Sequence, residues 1–410
     1  MTRRSLLLSP LSLAVQPPVD DDDEVPSKSL FERLFPNPTG NNGYEDLIRA
    51  GEILGKSTAF APAEQSDATL TVRRKASRDP FVRQALDLIR TGVAKPIVSP
   101  YPSIDPTRFG EFARFRQLAR LLNNEMLVQC ADGRTGAAIV RMAQGLTIAR
   151  TITPHALLGG LVGVAVEAIV LTRLVRHLPQ MTPADCDQIV RTIAQHLPLQ
   201  RAAFVASLDR EPVATEAMLR EMFATPLPDP SQEAGGEEED PTDPEPDDGL
   251  AAALMAARND PKAQEEAIQT FRKAHDQRVA VAKARLIDPT KRVEIVPPST
   301  TTLGGLLSAT MLGIYGGATD KFIQGQVNAR LLAVHAQIRR YQWEFARLPD
   351  ALSALDAPDW TGDPCTGQPL LYERKEDTYT LCSAGLPTRD DDDQPVGAPV
   401  PIYLPYRRPQ

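Results

Sequence analysis

The residues able to do chemistry are few and widely spaced. The four cysteines are Cys130, Cys186, Cys365 and Cys382. None belongs to a Cys-x-x-Cys pair, so a zinc knuckle or a thioredoxin-like redox motif has no basis here. Cys130 and Cys186 fall on or near apolar helical stripes and read as buried free thiols. The five histidines, His155, His177, His196, His275 and His335, contain no His-x-x-x-His or His-Glu-x-x-His spacing. His177 and His196 are expected near helix C-termini, where exposed carbonyls favour a cation. There is no Gly-x-Ser-x-Gly elbow and no glycine-rich phosphate loop. An enzymatic site would have to be assembled from dispersed groups. Its nearest candidates are Glu167, the one acid inside an apolar helix, with His155 and Asp185. The structural alternative pairs Glu167 with Arg150 or Arg173 as a buried ion pair.

The elements that would hold these residues are mainly helical. Phe112, Phe115, Leu118, Leu122 and Met126 recur at three and four, which makes one helical face. Asp132-Gly133 breaks that pattern, and Ile139, Met142, Leu146 and Ala149 continue it as the second arm of a helical hairpin. Thr153-Pro154 and Thr182-Pro183 each place a capping hydroxyl before a proline. Asp185 completes a capping box with Thr182. The helix from Pro183 carries Cys186, Ile189, Ile193 and Leu197. Gly159, Gly160 and Gly163 sit close together and suit tight helix packing. The stretch 251–287 is helical by propensity with a mostly alanine face, and it is expected to be a solvent-facing arm or a partner helix. The clearest helix repeats Ile323, Val327, Leu331, Val334, Ile338, Tyr341 and Phe345, with Thr319 as a candidate cap. Beyond Leu348-Pro349 the pattern shortens. A brief helix at 351–355, a Thr366-Gly367-Gln368-Pro369 turn and strands at 370–373 and 378–382 form a hairpin.

Composition bounds the rest. The chain has 410 residues, 42% of them hydrophobic but only 5% aromatic, with 37 prolines. Folded segments separated by linkers fit those values. The net charge of −8 hides an uneven distribution. Acids concentrate in 20–24, 226–249 and 390–393, leaving a basic remainder. These runs read as solvated tethers. No basic cluster is interleaved with aromatics, so nucleic-acid binding is not expected. Arg3 and Arg4 followed by the apolar 5–15, with Ser12 and Ala14 as small residues before a cleavage point, resemble a secretory or twin-arginine signal. Charges at Glu167, Arg173 and Arg176 interrupt the most apolar internal stretch, so no transmembrane helix beyond the signal-like segment is expected.

The order from Ala336 to Gly385 resembles the C-terminal part of the major pseudopilin of type II secretion systems. The shared features are a long helix with Tyr341, Leu348-Pro349, a Leu-x-x-Leu turn at 352–355, Asp363-Pro364, Gly367-Gln368-Pro369-Leu370, Thr378-Tyr379-Thr380-Leu381 and Ser383-Ala384-Gly385. The likeness spans about an eighth of the chain. Helices around 118–175 look similar to uncharacterised proteins of planctomycete-type bacteria that carry such an ending. A prepilin leader and its long apolar N-terminal helix are missing, so the resemblance implies reuse of the hairpin module rather than a pseudopilus subunit. It also implies a calcium loop after the last strand, which would hold Asp390, Asp391, Asp392 and Asp393. Their consecutive spacing fits an unstructured acidic tail equally well. Cys365 and Cys382 stand where similar sequences carry aromatics, which suggests a disulfide across the hairpin. In an oxidising compartment such a bridge would contribute about 3 kcal/mol.

The expected layout is mainly α with a small C-terminal α+β module containing a β-hairpin. It comprises a signal-like segment at 1–16, an acidic proline-rich linker at 17–43, a helical domain at 44–225 and a disordered acidic linker at 226–250. A helical arm and loop at 251–302, the long helix plus pseudopilin-like module at 303–386 and an acidic, proline-rich tail at 387–410 follow. The expected function is that of an exported, periplasmic or envelope, non-enzymatic scaffold with a protein partner. The alternatives are an accessory part of a type II secretion or pilus-like system, or an enzyme with a site near Glu167.

Overall fold

Apolar spacing of three and four builds most of the molecule. The computed structural model is mainly α-helical, with a three-stranded antiparallel sheet at the C-terminal end. It describes residues 28–100, 109–224, 248–290, 299, 301–355, 357–389 and 395–404. The signal-like segment 1–16 and nearly all of the acidic linker 226–250 lie outside the described residues.

The first helices are α1 (Leu30–Leu34), α2 (Gly43–Leu54), α3 (Phe60–Ala63), α4 (Leu70–Arg78) and α5 (Pro80–Gly92). The stretch expected as linker up to residue 43 therefore contains a short helix. Ser29 and Glu32 close a reciprocal capping box on α1, and Leu30 and Phe35 are buried. Composition alone hides this, because two local hydrogen bonds and two apolar anchors fix the segment.

Next come α6 (Phe109–Ala131), α7 (Thr135–Ile152), α8 (Ala156–Leu171), a 3₁₀ stretch over Leu174–Gln180 and α9 (Pro183–Ala224). Both stripes of the expected hairpin are buried, from Phe112 to Met126 and from Ile139 to Ala149. The Thr182 cap forms as expected. Thr182 N donates to Asp185 Oδ2 at 3.0 Å, and Asp185 N donates to Thr182 Oγ1 at 3.3 Å. The Thr153 cap does not form. The Thr153 hydroxyl instead donates back to the Ala149 carbonyl at 2.7 Å, while α8 begins at Ala156. There the Leu157 N–H is satisfied at 2.5 Å by Glu211 Oε2, reaching across from α9. Burial raises the Glu211 carboxyl above its ordinary range, and the Leu157 N–H opposes that rise. A side chain on another helix thus replaces the local cap.

Pro198 and Pro212 lie inside α9 without ending it. Each removes one backbone donor, a loss that packing of the helix must offset. Phe204, Ser207 and Leu208 between the two prolines are fully buried. His196 consequently sits inside α9 and not at its C-terminus as expected.

The second half supplies α10 (Asp248–Ala257), α11 (Pro261–Ile287), α12 (Leu303–Met311) and α13 (Ile314–Phe345). Of the two expectations for α11, a solvent-facing arm or a partner helix, the solvent-facing arm is not what forms. Ile268, Phe271, His275, Val279, Ala282 and Leu286 are buried, and α11 contacts α9, α12 and α13. These six positions repeat at three and four, so a true apolar face lies among the alanines. Arg285, 1% exposed, pairs with Asp320 of α13. The stripe of α13 from Ile323 to Ile338 is buried against α8 and α9, and Phe322 stacks on Phe204 at 4.2 Å. Helices from both sides of the acidic run therefore share one core, and the expected boundaries at 226–250 and 303 do not divide it. Thr319 lies inside α13 and donates to the Tyr315 carbonyl at 2.8 Å, so it is not a cap.

Ala156–Gln180 contains an 18-residue window with a mean hydropathy of 1.9, yet 56% of that window is buried within this bundle. Its close packing rests on small residues. A Cβ at Gly163 would lie 2.0 Å from Thr153 Oγ1.

A 3₁₀ turn at Leu352–Ala354 and α14 (Pro358–Thr361) lead into β1 (Leu371–Lys375), β2 (Thr378–Arg389) and β3 (Pro395–Tyr403), in the order β1-β2-β3. The hairpin register pairs Leu371 with Cys382 and Lys375 with Thr378. Much of the expected tail 387–410 is strand. Cys382 faces Tyr403 and Leu386 faces Val400. Pro395, Pro399 and Pro401 mark β3 as an edge strand, where a missing N–H is tolerated on the open side.

Candidate functional site

Glu167 is 1% exposed on α8, and its Oε2 accepts from His196 Nε2 of α9 at 3.2 Å. One turn along α9, Gln200 Nε2 donates to Thr153 Oγ1 at 3.0 Å. Glu167 Oε1, His196 Nδ1 and Gln200 Oε1 are buried without a protein partner. The third wall is α13 at Gly325, where a Cβ would sit in ordinary contact, 3.7 Å from Glu167 Oε1. The expected partners Arg150 and Arg173 are not used; His196 takes their place. Nor is the trio of Glu167, His155 and Asp185 assembled. His155 lies edge-on to Tyr44 with ring centroids 6.3 Å apart. Asp185 is occupied by Thr182 and by the Thr135 hydroxyl at 2.8 Å.

A general base must reach a substrate proton. With Glu167 and His196 at 1% and 2% exposure, the pair instead fixes the spacing of α8, α9 and α13. Removing either partner leaves a buried polar group alone, at a cost of about 2–4 kcal/mol. Urea denaturation of Glu167→Ala, His196→Ala and the double variant is expected to give a coupling energy above about 1 kcal/mol. Strictly additive losses would contradict this assignment.

Leu197 and Arg201, each one residue on from His196 and Gln200 along α9, line a cleft of about 540 Å³ on the adjoining face. Leu286, Phe322, Gln326, Arg330 and the 363–367 turn complete it, so the cleft lies at the seam between bundle and C-terminal module. Arg201 Nη2 donates to the Leu286 carbonyl at 2.6 Å. Arg330 Nη1 donates to the carbonyls of Asp359 and Gly362 at 2.6 and 3.2 Å. Gln326 Nε2 and Arg330 Nε are buried donors without protein partners. Over an apolar floor, the seam therefore offers hydrogen-bond donors to a ligand or water.

Asp363 closes that seam. Only 2% exposed, it accepts from Cys365 N at 2.9 Å, Ser383 Oγ at 2.8 Å and Ala384 N at 2.8 Å. His335 of α13 adds the second tie. Its Nδ1 lies 2.8 Å from the Tyr379 hydroxyl and its Nε2 3.1 Å from the Leu404 carbonyl.

Cys365 and Cys382 are free buried thiols, and the expected bridge is not formed. The Cys365 N–H shares Asp363 Oδ1 with the Ser383 hydroxyl, which places Cys365 at the Ser383 side of β2. Successive strand residues point to opposite faces, so Cys382 is turned the other way. Burial raises Cys365 to about 12, Cys186 to about 12 and Cys130 to about 11, which suppresses thiolate reactivity. The calcium candidates Asp390, Asp391, Asp392 and Asp393 lie outside the described residues. Among the described residues no group of His, Cys, Asp or Glu is placed to hold a metal ion.

Comparison with family models, curated proteins and solved structures finds no match.

Two groups have a role that their spacing did not reveal. His196 is the partner of Glu167, which no sequence interval encodes because it depends on the α8–α9 crossing. Glu111 is fully buried on α6, and desolvation pushes its carboxyl up to about 8. Its place beside Phe112 in an apolar stripe was the available signal.

Proposed function

We propose that this chain is an exported, non-enzymatic helical scaffold of the cell envelope that works by holding a protein partner. One observation carries the reading. The residues best equipped for chemistry, Glu167, His196, Asp185, His275 and His335, are buried and bonded to other parts of the chain. Groups used in this way specify a rigid body with surfaces to present. Export rests on the signal-like residues from Arg3 to Ala14. Affinity isolation from solubilised envelope fractions is expected to recover one protein in near-stoichiometric amount. Recovery of the chain alone from every fraction would remove the reading.

A second reading, an accessory component related to a type II secretion or pilus-like system, is favoured by Asp363. Its carboxylate joins Asp363-Pro364 to Ser383-Ala384-Gly385, two of the motifs on which the pseudopilin resemblance rests. Gly385 has φ +86°, and a Cβ there would lie 1.7 Å from the Val400 carbonyl. Unchanged secretion of type II substrates after deletion of the gene would remove this alternative.

A further inference from the structure

A second cleft, of about 340 Å³, lies far along the chain from the seam residues. It is lined by Glu64 and Ser66 after α3, Arg73 of α4, Arg120 and Asn123 of α6, and Thr172 and Arg173 at the end of α8. Its charge is unbalanced. Arg73 is 5% exposed, and its hydrogen bonds go to neutral oxygens: the carbonyls of Ala63, Gln65 and Ala68, and Asn124 Oδ1. Arg120 pairs with Glu64 at 3.3 Å across a half-exposed contact. Arg173 has no carboxylate partner among the described residues, and its field adds to desolvation in lowering the Arg73 guanidinium below its usual range. Three guanidiniums and one carboxylate, Glu64, line the cleft, and nearby Asp67 opposes the effect of Arg173 on Arg73. Asn123 supplies an independent sign of a missing partner. It is 8% exposed, and its Oδ1 is buried without a hydrogen bond. Turning that amide over would present an N–H donor instead. The carbonyl of Ala168 on this wall does not repel an anion strongly, because the Thr172 amide and hydroxyl, at 3.2 and 2.9 Å, already occupy it.

We propose that this cleft binds a tetrahedral dianion of the phosphate class, held by Arg120, Arg173 and the amide of Asn123, with the buried Arg73 supplying field. The guanidiniums outnumber the nearby carboxylates, Glu64 and Asp67, and a phosphate offers their donors more acceptor oxygens than an acetate-type carboxylate does. The size of the cleft suits inorganic phosphate or a small phosphomonoester.

The test is titration of the full chain with inorganic phosphate at constant ionic strength, followed by calorimetry and by thermal unfolding. Saturable binding is expected, with a rise in Tm that acetate at equal concentration does not reproduce. Arg173→Gln, which breaks no protein hydrogen bond, is expected to fold normally and to bind about tenfold more weakly. Arg120→Gln should weaken binding as well. Arg90→Gln, on an exposed i,i+3 pair elsewhere, should leave it unchanged. Co-sedimentation with phosphatidic acid vesicles identifies a lipid headgroup as the natural source, and binding of free phosphate without sedimentation identifies a soluble one. Absence of saturable phosphate binding, or equal affinity in wild type and Arg173→Gln, would overturn the proposal.

Discussion

Asp363→Ala is expected to release the C-terminal module while leaving the helical bundle folded. The carboxylate is 2% exposed and accepts from two backbone amides and the Ser383 hydroxyl. Alanine would strand all three donors in a dry site. Each such loss costs about 1–3 kcal/mol, so a total of about 3–5 kcal/mol is expected after local relaxation. The neighbouring ties are individually weaker. Tyr372 donates to the Pro349 carbonyl at 2.7 Å, and Arg374 meets Asp350 at 2.5 Å on the surface. Native-state hydrogen exchange should therefore show loss of protection across β1 and β2, with α6–α9 unchanged. Retained protection in the sheet would mean that the helix-facing contacts of β2 and β3, and not Asp363, hold the module.

The second large effect is acid destabilisation through the buried imidazoles. Desolvation lowers both His275 and His335 from 6.5 to about 4, and the Leu404 carbonyl opposes part of that fall at His335. Nε2 donates to the Leu404 carbonyl, and in the neutral ring favoured by burial Nδ1 of His335 accepts from the Tyr379 hydroxyl. Because the folded-state value is depressed, the unfolded chain binds more protons between pH 6.5 and 4. The contribution of neutral His335 is complete above the unfolded value and is lost as pH falls through the folded one. Its size is about 3 kcal/mol for a fully buried ring. Glu111, held near 8, and Glu211 run in the opposite direction over this window. A comparison between variants removes their effect. In urea denaturation at pH 7 and pH 4, wild type should lose about 3 kcal/mol more than His335→Gln. Parallel pH profiles would show that the ring does not change charge in this interval.

These two sites show what the sequence carries and what it does not. The helical stripes from Phe112 to Met126 and from Ile323 to Ile338 are legible because burial follows the 3.6-residue period. The Thr182 cap is legible because its partners are three residues apart. Thr153 misled because the helix starts later, at Ala156, where Glu211, more than fifty residues on, meets the Leu157 N–H. The packing of α11 was obscured by its alanines, although Ile268, Phe271, Val279 and Leu286 carried the period. β3 was hidden by its prolines, which an edge strand accommodates. Asp363 was visible as half of a short motif, but its partners Ser383 and Ala384 become neighbours only when the hairpin closes. Glu167 stood out as an acid among apolar residues, while His196 could be matched to it only through the crossing of two helices.

The proposed exported scaffold commits its reactive groups to its own structure. Intact mass of the protein from its native host, with denaturation and alkylation, tests that claim most directly. A chain beginning at Val15 with Cys130, Cys186, Cys365 and Cys382 all alkylated without reductant is the predicted result. A full-length chain starting at Met1, recovered from the cytosol, would contradict it.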